Sequence, residues 1–217
     1  MEQKIKLVCC KTMMDEIEKM KPADMAVEYV EYALHQTPDK LREELQKRID
    51  EEEEADTLVF VYGLCSNGLD GLRAGDKTLV IPRVHDCISL LLGSRDLYSR
   101  TFEENPGTYF LSKGWIDQEA DPYQEYLRYV ERYGEETARW VIGECYKNYT
   151  RVVFIDTGLP GMEEYEEHAK KVAAFLEAEY VRVEGDESYF EQLVAGSWQK
   201  NFLVIPPGGV SRYLDFM

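Results

Sequence analysis

The amino-acid sequence predicts an α/β fold: a mostly parallel sheet with helices on both faces. Three observations lead there. Short apolar runs rich in β-branched residues alternate with segments of helical apolar spacing through most of the 217 residues. Two of these runs, Leu58 to Gly63 and Thr78 to Pro82, end in polar segments, where open α/β folds place their sites. At 44% hydrophobic and 12% aromatic, the chain has enough apolar material for a sizeable core.

Taken in order, Ile5 to Cys9 reads as a short buried strand with Cys10 at its end. Thr12 is placed to cap a following helix, with Asp15 and Glu16 favourably in its first turn. After Pro22, the segment Met25 to Leu34 reads as weakly helical or mixed and ends at His35. Thr37-Pro38-Asp39 starts a helix with Leu41, Leu45 and Ile49 on one face. The strands at 58–63 and 78–82 enclose SNGLDGLRAGDK, a turn-rich loop. Asp86 then caps a helix expected to run from Cys87 through Leu97 and Phe102 to Asn105. Thr108 to Leu111 reads as a strand and Gly114-Trp115 as a loop over a pocket. Pro122 to Asn148 is helical with an interruption at Gly134. Arg151 to Asp156 is a strand, Met162 to Ala178 a helix, Tyr180 to Val183 a strand, Ser188 to Ala195 a helix and Asn201 to Ile205 the last strand. This alternation is that of a Rossmann-like three-layer arrangement. The length fits one domain over residues 1–217. A composition shift near 114–122 is the less favoured sign of two lobes.

The net charge of -17 argues against a generic nucleic-acid binder and against attachment to anionic membranes. Acidic runs such as Asp50 to Glu54 and Glu163 to Glu167 read as solvated helix faces. No run approaches the ~20 apolar residues of a membrane span, and MEQKIKLVCC does not read as a secretory signal, so a cytoplasmic protein is expected.

The five cysteines, Cys9, Cys10, Cys65, Cys87 and Cys145, include no CxxC pair, and an odd count in such a chain argues against a disulfide framework. Cys10, Cys65 and Cys87 each follow a strand closely. Parallel strands bring their ends to one edge, where these thiols can converge with His35 or His85. Zinc accepts such a Cys/His set, and iron or an iron–sulfur cluster is the alternative. Cys9 and Cys145 read instead as ordinary buried or structural cysteines. Two further readings compete for the same stretch. Cys87 at a helix start, with His85 as base, would suit a metal-free cysteine nucleophile. SNGLDGL and PPGG could bind anions, though neither matches a dinucleotide or P-loop fingerprint. Asp156 and Asp186 lie at strand ends, where turn or cap duty is the common role. Tyr109 and Trp115 could wall a pocket, with core packing the stronger default.

The blocks CKTMMDEI, ALHQTPDKL, YGLCSNGLDGL, IPRVHDCISLLLGSRDLY, PGTYFLSKGW, YTRVVFIDTG and GSW resemble the "domain of unknown function 1638" family of anaerobic microbes. The resemblance covers nearly the whole chain and implies a setting near corrinoid-dependent methyltransferases. It favours Cys10, His35, Cys65 and Cys87 as ligands, with His85 as a substitute. It also marks Asp86, and it implies pocket roles for Gly107, Tyr109, Gly114 and Trp115. Asp156 is a further pocket candidate. The resulting expectation is a zinc-binding protein of one-carbon or corrinoid methyl metabolism, an enzyme or an accessory factor. Its partners would be a small-molecule substrate or corrinoid methyltransferase components, with any corrinoid carried by the partner. The rival expectation is a metal-free binding or regulatory module whose acidic surface docks a partner.

Overall fold

Ile5–Cys10 forms a strand because its apolar, branched residues have two faces to bury: Leu7, Val8, Cys9 and Cys10 are all buried. The structure, a computed structural model, describes residues 4–216 apart from the side chains of residues 35 and 36. In chain order the elements are β1 (Ile5–Cys10), α1 (Met14–Met20), β2 (Ala26–Val30), α2 (Pro38–Glu51), β3 (Thr57–Val61), β4 (Thr78–Pro82), α3 (Cys87–Leu91), α4 (Arg95–Glu104), β5 (Thr108–Ser112), α5 (Lys113–Asp117), α6 (Pro122–Tyr133), α7 (Glu135–Tyr146), β6 (Arg151–Asp156), α8 (Met162–Phe175), β7 (Glu179–Glu184), α9 (Ser188–Ala195) and β8 (Phe202–Ile205). Both sheets are mostly parallel, as an α/β fold requires.

The elements gather into two compact units, one reaching Arg95 and resuming at Glu187, the other spanning Asp96–Asp186. The single-domain expectation drew no boundary there, and the composition shift at 114–122 falls inside the second unit.

In the first unit the strand order is β2-β1-β3-β4-β8. The first four strands are parallel and β8 runs antiparallel to β4. β3 sits centrally and is buried at every position, which is why its sequence is a continuous apolar run rather than an alternating one. The chain steps from β1 out to β2, then crosses back to β3. The strand order therefore reverses between β1 and β3, the topological switch point at which open α/β sheets bind ligands. Leu41, Leu45 and Ile49 of α2 are buried at the predicted helical spacing.

The second unit carries the parallel sheet β5-β6-β7. Leu111, Val152, Phe154, Ala169 and Val172 lie at 0% exposure in its core. Asp121 starts α6, its Oδ1 accepting from the Tyr123 and Gln124 backbone N–H groups at 2.9 and 3.0 Å. Gly134, at φ 82°, divides α6 from α7 where the sequence marked an interruption.

Several local expectations are corrected. Met25 to Leu34 is not helical in its first half: Ala26–Val30 pairs with β1 as an edge strand, its Val and Tyr residues suited to a half-buried pleat. The helix expected from Cys87 to Phe102 breaks at Gly93, whose φ of 65° ends α3 before α4 begins. Thr12 lies in a 3-10 turn, Lys11–Met13, rather than capping α1. Gly114 and Trp115 belong to α5, not to a loop.

Candidate functional site

The C-terminal edge of β1, β3 and β4 gathers the thiols. Cys10 is the last residue of β1, Cys65 follows β3, and Cys87 opens α3 just after β4. A backbone clamp sets the last two side by side. The Leu64 and Cys65 N–H groups donate to the Val84 and His85 carbonyls, each at 2.9 Å. This continues the pairing of β3 with β4 past the strands' formal ends. Gly63 makes the approach possible, since a Cβ there would stand 2.6 Å from the Asp86 Cα. Asp86 then caps α3, its Oδ1 accepting from the Ile88 N–H at 3.0 Å. After the clamp, Cys65, Ser66 and Asn67 adopt left-handed φ values of 45°, 55° and 69°. Three such non-glycine residues in a row carry strain of the kind that concentrates at functional sites.

The thiols and their surroundings act on one another's titration. Burial pushes the Cys87 thiol well up, and the Cys65, Asp86 and Cys10 charges push it further. Cys65 is raised by burial, then by Cys10 and Asp86, against the opposing backbone N–H groups of Gly63 and Cys87. Cys10 is raised by burial, opposed by Thr12 and Tyr62. The Thr12 Oγ1 donates to the Cys10 sulfur at 3.2 Å. Cys10 and Cys87 retain 7% and 8% exposure and Cys65 more, whereas Cys9 is fully buried, so the three clustered thiols sit at the core's margin. Cys145 is exposed on α7 in the second unit.

His85 is exposed, and the groups that set the Cys87 titration are burial, Cys65, Asp86 and Cys10. This environment works against a thiolate nucleophile activated by His85, because a raised thiol pKa keeps the sulfur protonated at neutral pH. The side chain of His35 lies outside the described residues. Among the described residues, no three His, Cys, Asp or Glu side chains stand ready-arranged to hold a metal ion.

The remaining pocket candidates divide between the units: Asp86 is in the first, and Tyr109, Gly114, Trp115 and Asp156 are in the second. Those four have packing duties. The Tyr109 hydroxyl donates to the Ala120 carbonyl at 3.2 Å, and its ring meets Tyr149 edge-on at 5.4 Å. Trp115 packs on the second unit's core and Gly114 is buried in α5. Asp156 accepts from the Arg182 guanidinium at 2.6 Å and from the Gly158 N–H at 2.9 Å. Asp186 follows β7 in the same unit. Gly107 permits close passage of the Asn148 carbonyl, 2.6 Å from where its Cβ would be.

Two residues of the first unit escaped the sequence reading. Tyr62 looks like one more core aromatic after β3, yet its hydroxyl is buried beside Cys10. Gly63 looked like a strand end, not a spacer for the Asp86 backbone. The signal was present in Tyr62-Gly63-Leu64-Cys65, where a phenol and a glycine directly precede a candidate ligand.

No helix among the described residues is long and apolar enough to cross a membrane. Residues 29–194 match the model of a family described as "Protein of unknown function (DUF1638)". That span includes His35, Cys65 and Cys87 and begins after Cys10. No curated protein and no solved structure matches the chain.

Proposed function

The chain belongs to the DUF1638 family, and we propose that it binds a thiophilic transition metal, zinc, through Cys10, Cys65 and Cys87, with His35 as fourth ligand. The observation that carries this reading is that Cys10, Cys65 and Cys87, from distant segments, stand at the C-terminal ends of β1, β3 and β4 beside the β1/β3 switch point, where Cys10 raises the titration of both others and Cys65 that of Cys87. Three cysteines and one histidine form a closed structural zinc set, while loss of the fourth ligand would leave an open catalytic position. Without metal the thiols are protonated, which removes any need for their sulfurs to point at one centre. Loading would release protons and be favoured by rising pH. Held by these residues, an ion would supply Lewis acidity to a coordinated thiol or water. The chain's residues supply the cradle: Asp86 and Gly63 fix the spacing of Cys65 from Cys87, and Thr12 holds the Cys10 sulfur. Iron or an iron–sulfur cluster would use the same thiols. The setting in one-carbon or corrinoid methyl metabolism, as enzyme or accessory factor, is part of this proposal and rests on the family resemblance. Metal analysis of anaerobically purified protein tests the reading. About one zinc or iron per chain, lost in a Cys65→Ser/Cys87→Ser variant, is expected for this ligand set. Substoichiometric metal that the double substitution leaves unchanged overturns it.

A second reading, a metal-free binding or regulatory module, is favoured by the protonated state of the thiols, since a buried neutral thiol acts as a small apolar surface. A stable complex with corrinoid methyltransferase components, formed by metal-free protein and unaffected by the double substitution, would select it.

A further inference from the structure

We propose that two copies of this chain pair through the outer face of α7, antiparallel about a two-fold axis, with each Trp140 seated over the partner's Gly143. Ala138 and Ile142 of α7 are buried, which turns the opposite face of the helix outward. Glu136, Trp140, Gly143 and Lys147, spaced four, three and four apart, fall on that outer face, and all four are exposed. Trp140 keeps 69% of its surface exposed, a large apolar area to leave in water. Gly143 is the second oddity. Glycine is a poor helix former, and alanine would serve better in an exposed helix interior. Lack of room does not explain the choice, because a Cβ there would meet nothing within 4 Å. A glycine so placed lets a group from outside come close to the helix backbone. The two oddities fit each other: a ring protrudes, and one turn further on the helix has a notch.

The stripe also has a symmetry. Turning α7 end for end about the midpoint of Trp140 and Gly143 exchanges Trp140 with Gly143 and Glu136 with Lys147. An isologous two-fold contact performs that same exchange, residue i on j and j on i. Two rings would fill two notches, and Glu136 of each copy would face the partner's Lys147 beyond them. A parallel pairing would set Glu136 on Glu136 and ring on ring, and fits neither the charges nor the notch. The wider surface agrees. The chain carries a net charge of -17, so most of its surface repels a second copy. Between Pro122 and Lys147 there are five acidic and four basic residues, so the α6–α7 hairpin is close to neutral. It is here that a like copy meets opposite charges rather than a repelling field.

The test is analytical ultracentrifugation of the full-length chain over a range of concentrations. Reductant keeps the exposed Cys145 from cross-linking copies. One helix on one helix is a small contact, so a reversible dimer, half-formed at roughly 10–100 µM, is expected. Trp140→Ala should weaken it about 30-fold, as loss of a central aromatic anchor does. Gly143→Leu should weaken it too, by filling the notch. Glu136→Lys should weaken it roughly 10-fold, since both ion pairs become like-charge contacts. The joint reversal Glu136→Lys/Lys147→Glu should restore the wild-type dimer, because the two-fold axis sets opposite charges together again. No folding defect mimics that recovery. A wild type that stays monomeric to about 1 mM overturns the proposal and leaves the face to a different protein. A dimer that Trp140→Ala and Gly143→Leu leave unchanged, or a joint reversal as weak as the single one, overturns it as well.

Discussion

The Cys65 backbone N–H donates to the His85 carbonyl at 2.9 Å. By this bond the loop after β3 and the loop after β4 run on as a pair, and two cysteines 22 positions apart become neighbours. The histidine contributes its main chain to the site while its side chain stands in solvent.

Gly63→Ala tests the clamp. The new Cβ would meet Asp86 backbone atoms at 2.6 to 2.7 Å, and backbone cannot yield as a flexible side chain does. A loss of about 1–3 kcal/mol is expected, from the usual cost of overpacking. For a chain of this size that is a melting point lowered by roughly 2–12 °C. An unchanged melting temperature would show that the two loops separate freely.

Thiol labelling separates the cysteines. With burial holding Cys10, Cys65 and Cys87 protonated, Cys145 is expected to react first with iodoacetamide at neutral pH, as the one exposed thiol among the described residues. Peptide mass spectrometry over a time course reads the order. Fast modification of Cys87 would support the metal-free nucleophile reading.

Acid stability should carry a mark of Glu52. Burial opposes its ionisation, but the Lys6 ammonium at 2.8 Å and the Ala55 and Glu54 N–H groups prevail and bring its pKa from 4.5 to about 2. A carboxyl with a depressed folded pKa stabilises fully above its unfolded value, so this contribution is present above 4.5 and fades as pH falls towards 2. Glu52→Gln should lower stability at neutral pH and flatten the decline between those limits in chemical denaturation. A variant with the same slope as wild type there would remove Glu52 from the account.

Asp121 anchors the second unit twice. One carboxylate oxygen caps α6, and the other lies 2.9 Å from the His168 Nε2. Asp121→Ala is expected to cost at least the ~1 kcal/mol of a lost helix cap, and Asp121→Asn distinctly less, because the amide oxygen can still cap. Equal losses in thermal unfolding would mean that the link to His168 outweighs the cap.

The buried strands were legible because β3 and β4 are covered on both faces, and a five-residue apolar run admits few other forms. β2 was not, because an edge strand is only partly buried and AVEYV satisfies helical and pleated spacing about equally. The break at Gly93 hid inside an apolar run, where one left-handed residue decides the path of the chain. Cys10, Cys65 and Cys87 were readable as strand-end thiols. Which strand ends lie side by side depends on strand order, which no local pattern encodes. Tyr62 was hidden for a different reason: among buried aromatics, only a hydroxyl without a partner sets it apart.

The first unit's two segments also impose an order on synthesis. β4 is completed at Pro82, but its antiparallel neighbour β8 begins only at Phe202. At ribosomal rates of roughly 5–20 residues per second, that partner arrives on the order of ten seconds later. Meanwhile the nascent sheet presents a bare apolar edge, a template for pairing with other chains. The residues of the second unit emerge complete during that wait, so the insert can fold before its host. A chain stopped before Phe202 would leave that edge of β4 unpaired.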